Sequence, residues 1–496
     1  MVAAAHPQAT EAGYQVLKRG GSAVDAAIAV QLVLGLVEPE SSGIGGGAFL
    51  LHWSQSERRL RSYDGRETAP AAARPDRFLG ADGKPLAFEE ARTGGRSVGV
   101  PGVLRMLELT HKRHGRLPWA RLFDAAIEAA DKGFPLSPRL HALLQGENHL
   151  YRGKGVGELV LNPAYAATLR GVAAHGTRAF YEGEIAADMA RAVRSQGGDL
   201  TEADIAAYRA VEREPVCGAY RVWRVCSMGP PSSGGIAVLQ ILGMLERTRF
   251  SSAPAQSAQA VHFFSEAGRL AYADRARYLG DPDFVVVPVN KLLSAHYLDA
   301  RARLIGERSA GRALPGDMEG GTSHFSIVEA NGDAVAMTTT IEAGFGSRIL
   351  VRGFLLNNEL TDFDFVPGSA NQVASRKRPR SSMAPTMVFE GGELRLLVGS
   401  PGGSAIINYV AKALVGVLDW RLDIQSAIEL PNFGSRNGPT QIERGSRYEA
   451  LAKALAERGH DVRFATLESG LHGIERVPGG WRGGADPRRE GVARGE

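Results

Sequence analysis

The sequence predicts a layered domain of the α/β or α+β class. Two observations lead there. Up to about residue 250 the apolar residues mostly follow helical spacing, broken by short strand-like runs, and after residue 321 strand-like runs take over. The composition is also that of a globular chain with enough length for a large core: 496 residues, 44% apolar, 23% charged and a net charge of +4. A disordered chain would carry fewer apolar residues and a stronger net charge. The 61 glycines and 25 prolines show no G-X-Y period, so collagen is excluded and the glycines belong in turns and close backbone approaches.

The elements follow in order. Residues 7–19 have helical spacing through Ala12, Tyr14, Val16 and Leu17 and stop at Gly20-Gly21. Ser22 and Asp25 form a capping box for a second helix ending near Gly35. The apolar run from Ala23 to Val37 holds Asp25 and Gln31 and is too short for a bilayer, so it reads as a buried helix. Residues 38–47 form a loop and 48–53 a strand. Helices are expected over 103–112, 122–130 and 236–246, with a charged helical stretch over 181–209. Residues 216–228 alternate like a hairpin. Residues 303–321 are polar and aperiodic, which predicts a flexible loop. Strands are expected over 324–328, 334–340, 387–389 and 394–398.

Several motifs are weaker than they look. Gly43-x-Gly45-x-x-Ala48 has dinucleotide-fingerprint spacing but leads from a loop into a strand, where the fingerprint needs strand then helix. Backbone-to-backbone packing is the better reading. Gly399-Ser400-Pro401-Gly402-Gly403-Ser404 lacks the lysine of a phosphate-binding loop. His111 and His114 lack a third ligand at metal spacing, which favours a solvated helix face; no metal or cofactor is called for. The run Arg376-Lys377-Arg378-Pro379-Arg380 reads as a solvated loop, and the thin charge gives no nucleic-acid footprint. If Arg221-Val222 form a two-residue turn, Cys217 faces Cys226 across a hairpin and a disulfide is geometrically open. Residues 1–6 carry no signal-peptide pattern, so the expected location is cytoplasmic, or periplasmic or secreted should the true start lie upstream. That expectation favours two reduced thiols.

The informative hairpin starts at Gly321-Thr322. A turn centred on Asn331-Gly332 would pair Thr322 with Ile341 and set Thr340 and Glu342 one position to either side. Register alone thus brings a hydroxyl and a carboxylate near Thr322. A Thr-rich hairpin with no further role is the plain alternative.

Longer segments decide between them. Glu38-Pro39-Glu40-Ser41-Ser42-Gly43-Ile44-Gly45-Gly46-Gly47, Asp64-Gly65-Arg66-Glu67-Thr68-Ala69-Pro70, Pro230-Pro231-Ser232-Ser233-Gly234-Gly235, Thr322-Ser323-His324-Phe325-Ser326, Leu355-Leu356-Asn357-Asn358-Glu359-Leu360-Thr361-Asp362-Phe363 and Ser381-Ser382-Met383-Ala384-Pro385 stand in an order that resembles the γ-glutamyltransferase (γ-glutamyltranspeptidase) family over nearly the whole chain. The resemblance implies an N-terminal-nucleophile hydrolase with a four-layer αββα sandwich. It implies self-cleavage between Gly321 and Thr322, giving a large subunit of residues 1–321 and a small one of residues 322–496 that together form one domain and a heterodimer. Thr322 is then the nucleophile, its new α-amine the base, and Thr340 a partner to its hydroxyl. Gly402 and Gly403 match the oxyanion hole. Arg66 matches the group that binds the substrate carboxylate, with Ser381 and Ser382 beside it. Glu342, Glu359 and Asp362 match the holders of the substrate ammonium, so acceptors and donors are expected on opposite sides of the head group.

The implied substrates are a small γ-glutamyl amide such as glutathione, with water or an amino acid or peptide as acceptor. A related glutaryl or cephalosporin-type acylase, or an uncleaved homologue that only binds, are the alternatives. The short interval from Asp362 to Arg378 looks like a lid-less form, open to larger or polymeric γ-glutamyl substrates. Ser323 stands where the family often has Thr. The family's usual export conflicts with a cytoplasmic location.

Overall fold

A computed structural model describes residues 1–145, 150–151, 153–311 and 321–496. Residues 312–320 of the expected flexible loop lie outside them. The strands that build the core are β1 (Val2–Ala4), β2 (Gly47–Ser54), β3 (Arg59–Gly65), β4 (Val211–Arg213), β5 (Val216–Tyr220), β6 (Trp223–Ser227), β7 (Gly321–Val328), β8 (Ala334–Glu342), β9 (Thr386–Glu390), β10 (Glu393–Gly399), β11 (His472–Val477), β12 (Gly480–Ala485) and β13 (Val492–Arg494). They form two sheets, one in the order β13-β1-β7-β8-β2-β3-β4 and one in the order β12-β11-β10-β9-β6-β5.

Side-chain alternation stacks these sheets face to face. Leu51, Trp53, Val328, Ala334 and Ala336 from the first meet Cys226, Met387, Phe389, Leu397 and Ile474 from the second. The Trp53 and Phe389 rings lie 4.7 Å apart there. The opposite face of the first sheet, including Phe325, Ile327, Val335 and Met337, packs on helices Pro7–Lys18, Ala23–Val37 and Val103–His114. The second sheet packs on Gly234–Glu246, Ala258–Tyr278 and Ile406–Leu418. The architecture is therefore αββα. Every residue of Ala23–Val37 is buried, and its capping box is present as the sequence predicts. That helix is apolar on all sides because it is covered on all sides.

Ala258–Tyr278 and Ile406–Leu418 escape a periodicity reading. The first buries polar groups that break the apolar rhythm: His262 bonds His460 at 2.8 Å and Asp274 accepts from Gln240 at 2.9 Å. The second is a mostly apolar run, which periodicity alone cannot distinguish from a strand. Its one cation, Lys412, donates to the Ile428 and Leu430 carbonyls at 2.9 Å, and burial lowers its pKa to about 7.

Three local expectations change, and that for the Gly43–Gly47 loop holds. The basic run 376–380 is not a solvated loop: Lys377, Arg378 and Arg380 are buried. Arg378 Nε lies 3.3 Å from Asp64, Arg380 donates to Asp364 at 3.0 Å, and Lys377 Nζ caps two backbone carbonyls. Single-sequence charge runs look solvated because their partners, here Asp64 and Asp364, are separate in sequence. His111 and His114 are half-buried: His111 bonds the Leu117 carbonyl at 2.9 Å, and His114 bonds the Tyr63 hydroxyl and stacks on His52. The Gly43–Gly47 loop packs backbone on backbone, since a Cβ on Gly46 would stand 2.0 Å from the Thr340 carbonyl oxygen.

Cys217 and Cys226 face each other in the β5–β6 register, as the two-residue turn requires, and they are joined in a disulfide rather than reduced. The bond spans 9 positions, and closing so short a loop contributes about 2–3 kcal/mol through the unfolded state. Cys217→Ser with Cys226→Ser should lower the urea midpoint accordingly. Dithiothreitol should lower the native protein's midpoint and leave the double variant's unchanged.

Candidate active site

The β7–β8 hairpin sets the centre of the site. Its turn is not the two-residue form centred on Asn331-Gly332. Glu329 N–H donates to the Asp333 carbonyl, enclosing Ala330-Asn331-Gly332 in a three-residue loop with Gly332 at φ 91°. The extra residue moves the register by one, so Thr322 pairs directly with Thr340 and not with Ile341. The shift puts both hydroxyl side chains on the face between the sheets. An irregularity after Thr340 then sets Glu342 opposite Gly321. Glu342 N–H donates to Thr340 Oγ1 at 2.7 Å.

Thr322 and Thr340 open into a cavity of about 540 Å³ that also holds Arg66, Glu342, Glu359, Asp362, Ser381, Ser382 and Gly403. Nine of the eleven expected site residues therefore meet in one space. Gly402 lines an adjoining cavity of about 400 Å³, so the turn at 402–403 separates the two. Both glycines have positive φ, 127° and 55°, which other residues adopt only with strain. Gly321, the residue before Thr322, begins β7.

The charged end of the cavity differs from the arrangement expected. Donors and acceptors do not sit on opposite sides. Arg66, 1% exposed, is ion-paired with Glu359 and, at 2.5 Å, with Asp362. It also donates to the carbonyls of Pro379 and Arg380 at 3.1 Å. The buried basic run thus supplies the backbone that fixes Arg66. Burial works against the guanidinium charge, and Glu359, Asp362 and Glu67 outweigh it, raising its pKa above the ordinary arginine value. Burial pushes Glu359 up to about 7 against the pull of Arg66, and raises Glu67 and Glu342 well above the usual carboxyl range. Asn358 donates to Glu342 Oε2 at 2.6 Å and accepts from Ala343 N–H, tying Glu342 to the Glu359 segment.

Three supports were not evident in the sequence. Arg275 projects from Ala258–Tyr278 into the cavity, where it donates to Ser233 Oγ and Ser382 Oγ, each at 2.8 Å. Burial, reinforced by Arg380, lowers its pKa to about 10. On the helix side of β7, Ser323 Oγ donates to Glu38 Oε2 at 2.8 Å. From the C-terminal segment, Arg489 donates to the Thr322 carbonyl at 3.0 Å. Side chains that act through a distant partner leave no local pattern, and only the fold exposes them.

Chemically, the site offers a hydroxyl nucleophile candidate with a second hydroxyl opposite it. Beside them lies a desolvated cluster of one guanidinium and several carboxyls whose net charge changes near neutral pH. Carboxyls with raised pKa hold an ammonium group only when ionised. The KM for an ammonium-bearing substrate should therefore fall as pH rises through about 7, and Glu359→Gln should flatten that dependence in a KM–pH profile.

A family model described as gamma-glutamyltranspeptidase matches residues 9–496. The glutathione hydrolase proenzyme of Bacillus subtilis (strain 168) is 37% identical, over 99% of this chain and 91% of that protein. The acylase ACY 1 proenzyme of Pseudomonas sp. (strain SE83) is 34% identical, over 98% of this chain and 91% of that one. The crystal structure of a cephalosporin acylase from Bacillus halodurans superposes with a TM-score of 0.90 at 29% identity, covering 100% of this chain and 96% of that one.

Proposed function

The chain belongs to the γ-glutamyltranspeptidase family, and from that membership we propose that it is an autoprocessing γ-glutamyltransferase and glutathione hydrolase. The observation that carries this reading is Thr322 facing Thr340 at the mouth of β7, beside a buried Arg66–Glu359–Asp362 cluster in one cavity. In the precursor, the Thr322 hydroxyl attacks the Gly321 carbonyl carbon and the Gly321–Thr322 C–N bond breaks, which frees the Thr322 α-amine; water then cleaves the resulting ester, releasing the Gly321 carboxylate and restoring the hydroxyl. An α-amine titrates near 7.7–8.0 when unperturbed, so it serves as base at neutral pH. In turnover, Thr322 Oγ bonds the γ-carbonyl carbon while the amide C–N bond breaks, and the hydroxyl proton passes through the α-amine to the departing nitrogen. Water or an amine then attacks the ester, its C–O bond to Thr322 breaks, and the proton returns to Thr322 Oγ. Backbone N–H groups at Gly402 and Gly403 stabilise the oxyanion.

At the head group, Glu342, Glu359 and Asp362 take the ammonium. Arg66 holds two of them in place and, with Ser381 and Ser382, faces the carboxylate. The partners are a small γ-glutamyl donor, an acceptor, and the two subunits of one precursor. Among the described residues no helix is long and apolar enough to cross a membrane. The Cys217–Cys226 bond supports an oxidising compartment, and so a periplasmic or secreted location over a cytoplasmic one.

The acylase reading keeps a specific support, the similarity to the Bacillus halodurans enzyme. A glutaryl substrate has no ammonium, however, and would leave Glu342 without a counter-charge. Purified protein given γ-glutamyl-p-nitroanilide and glutaryl-p-nitroanilide separates the two readings. The γ-glutamyl compound should be cleaved at least tenfold faster in kcat/KM, since a site built for a polar group rejects analogues lacking it. Equal or reversed rates would favour the acylase.

A further inference from the structure

The cavity is polar at its floor and apolar at its rim. Thr322, Arg66 and Glu359 are 3%, 1% and 1% exposed, whereas Leu86, Phe88 and Phe365 are half-buried and Val366 is 60% exposed, all lining the same space. The rim is anchored. Leu86 and Phe365 pack on a small core of Ala69, Phe78, Leu360 and Phe363, with the Phe78 and Phe365 rings stacked at 4.6 Å. Among the described residues that line it, neither remaining arginine points a free donor at the rim. Arg380 is taken by Asp364 and the Leu279 carbonyl, and Arg275 is turned to the serines at the head-group end.

The head group and the attacked carbonyl occupy the buried floor. In the pose taken here, the substrate's amine portion extends outward across Leu86, Phe88, Phe365 and Val366. We propose that this rim selects the amine side of the reaction, favouring amides of apolar or aromatic amines over γ-linked chains of glutamate, whose next carboxylate would meet carbon and the Arg380–Asp364 pair. The inference rests on the reading of Thr322 as nucleophile, and it narrows the open, polymer-accepting site that a missing lid suggests. Phe365 and Val366 are then specificity residues for the leaving group.

Two dipeptides with the same leaving nitrogen test it: γ-glutamylphenylalanine and γ-glutamylglutamate, hydrolysed by the processed enzyme. The expected kcat/KM ratio is at least about tenfold in favour of phenylalanine, the scale on which apolar pockets discriminate. Phe365→Ser and the more exposed Val366→Ser should each reduce that ratio. A wild-type ratio of one or less overturns the inference, as does a ratio that neither substitution changes. Failure to cleave both dipeptides and γ-glutamyl-p-nitroanilide would instead overturn the γ-glutamyl reading itself.

Discussion

Thr322→Ala should leave the protein as a single uncleaved chain of 52.9 kDa and reduce γ-glutamyl-p-nitroanilide hydrolysis by at least about 10⁴-fold, the scale on which enzymes lose rate with their nucleophile. In the proposed mechanism the same hydroxyl serves both reactions, so one substitution should abolish both. Alanine keeps the strand: Thr322 is 3% exposed and paired with Thr340, and removal of one hydroxyl and one methyl leaves the β7–β8 ladder intact. Thr322→Ser keeps the hydroxyl and should still cleave. A denaturing gel and an intact mass decide. Two fragments meeting at Gly321 and Thr322 in the wild type, with one band in the alanine variant, are the expected results. Cleavage in the alanine variant would remove Thr322 from the mechanism.

Arg66→Met should be nearly as damaging, for a different reason. It removes the only guanidinium paired with Glu359 and Asp362 in the described hydrogen bonds, and strands buried carboxyl groups together with Glu67. Breaking a buried pair from one side costs roughly 3–5 kcal/mol, because the remaining charge is left without a partner. Urea unfolding in the uncleaved Thr322→Ala background measures this on a single chain. Arg66→Lys keeps the charge but loses the fork that reaches two carboxylates and two carbonyls, so it should recover only part of the stability. A midpoint unchanged in both variants would mean that the cluster contributes no net stability.

The sequence made the fold class legible through its change of pattern near Thr322, and the capping box at Ser22 and Asp25 located the start of a helix to the residue. The grouping of nine site residues was legible only through long matching segments, since no single spacing links Arg66 to Asp362. The hairpin register was missed by one position because Asn331-Gly332 suits a two-residue turn, while the chain uses Gly332 as the last residue of a three-residue loop. The basic run, the disulfide and Arg275 share another cause. Each takes its meaning from a partner or compartment that local composition does not reveal.

The strand order has a mechanical consequence. In the first sheet, β13, β7 and β8 follow the proposed cut, while β1, β2, β3 and β4 precede it, and β1 lies hydrogen-bonded between β13 and β7. The two proposed subunits are thus interleaved like fingers of clasped hands, and Arg66 on one side of the proposed cut grips carboxylates and carbonyls on the other. Severing the backbone before Thr322 frees an amine without freeing a fragment. A molecule nicked there could come apart only by dismantling its central sheet, so dilution alone should not separate its halves, and the two polypeptides should persist as one cooperative body.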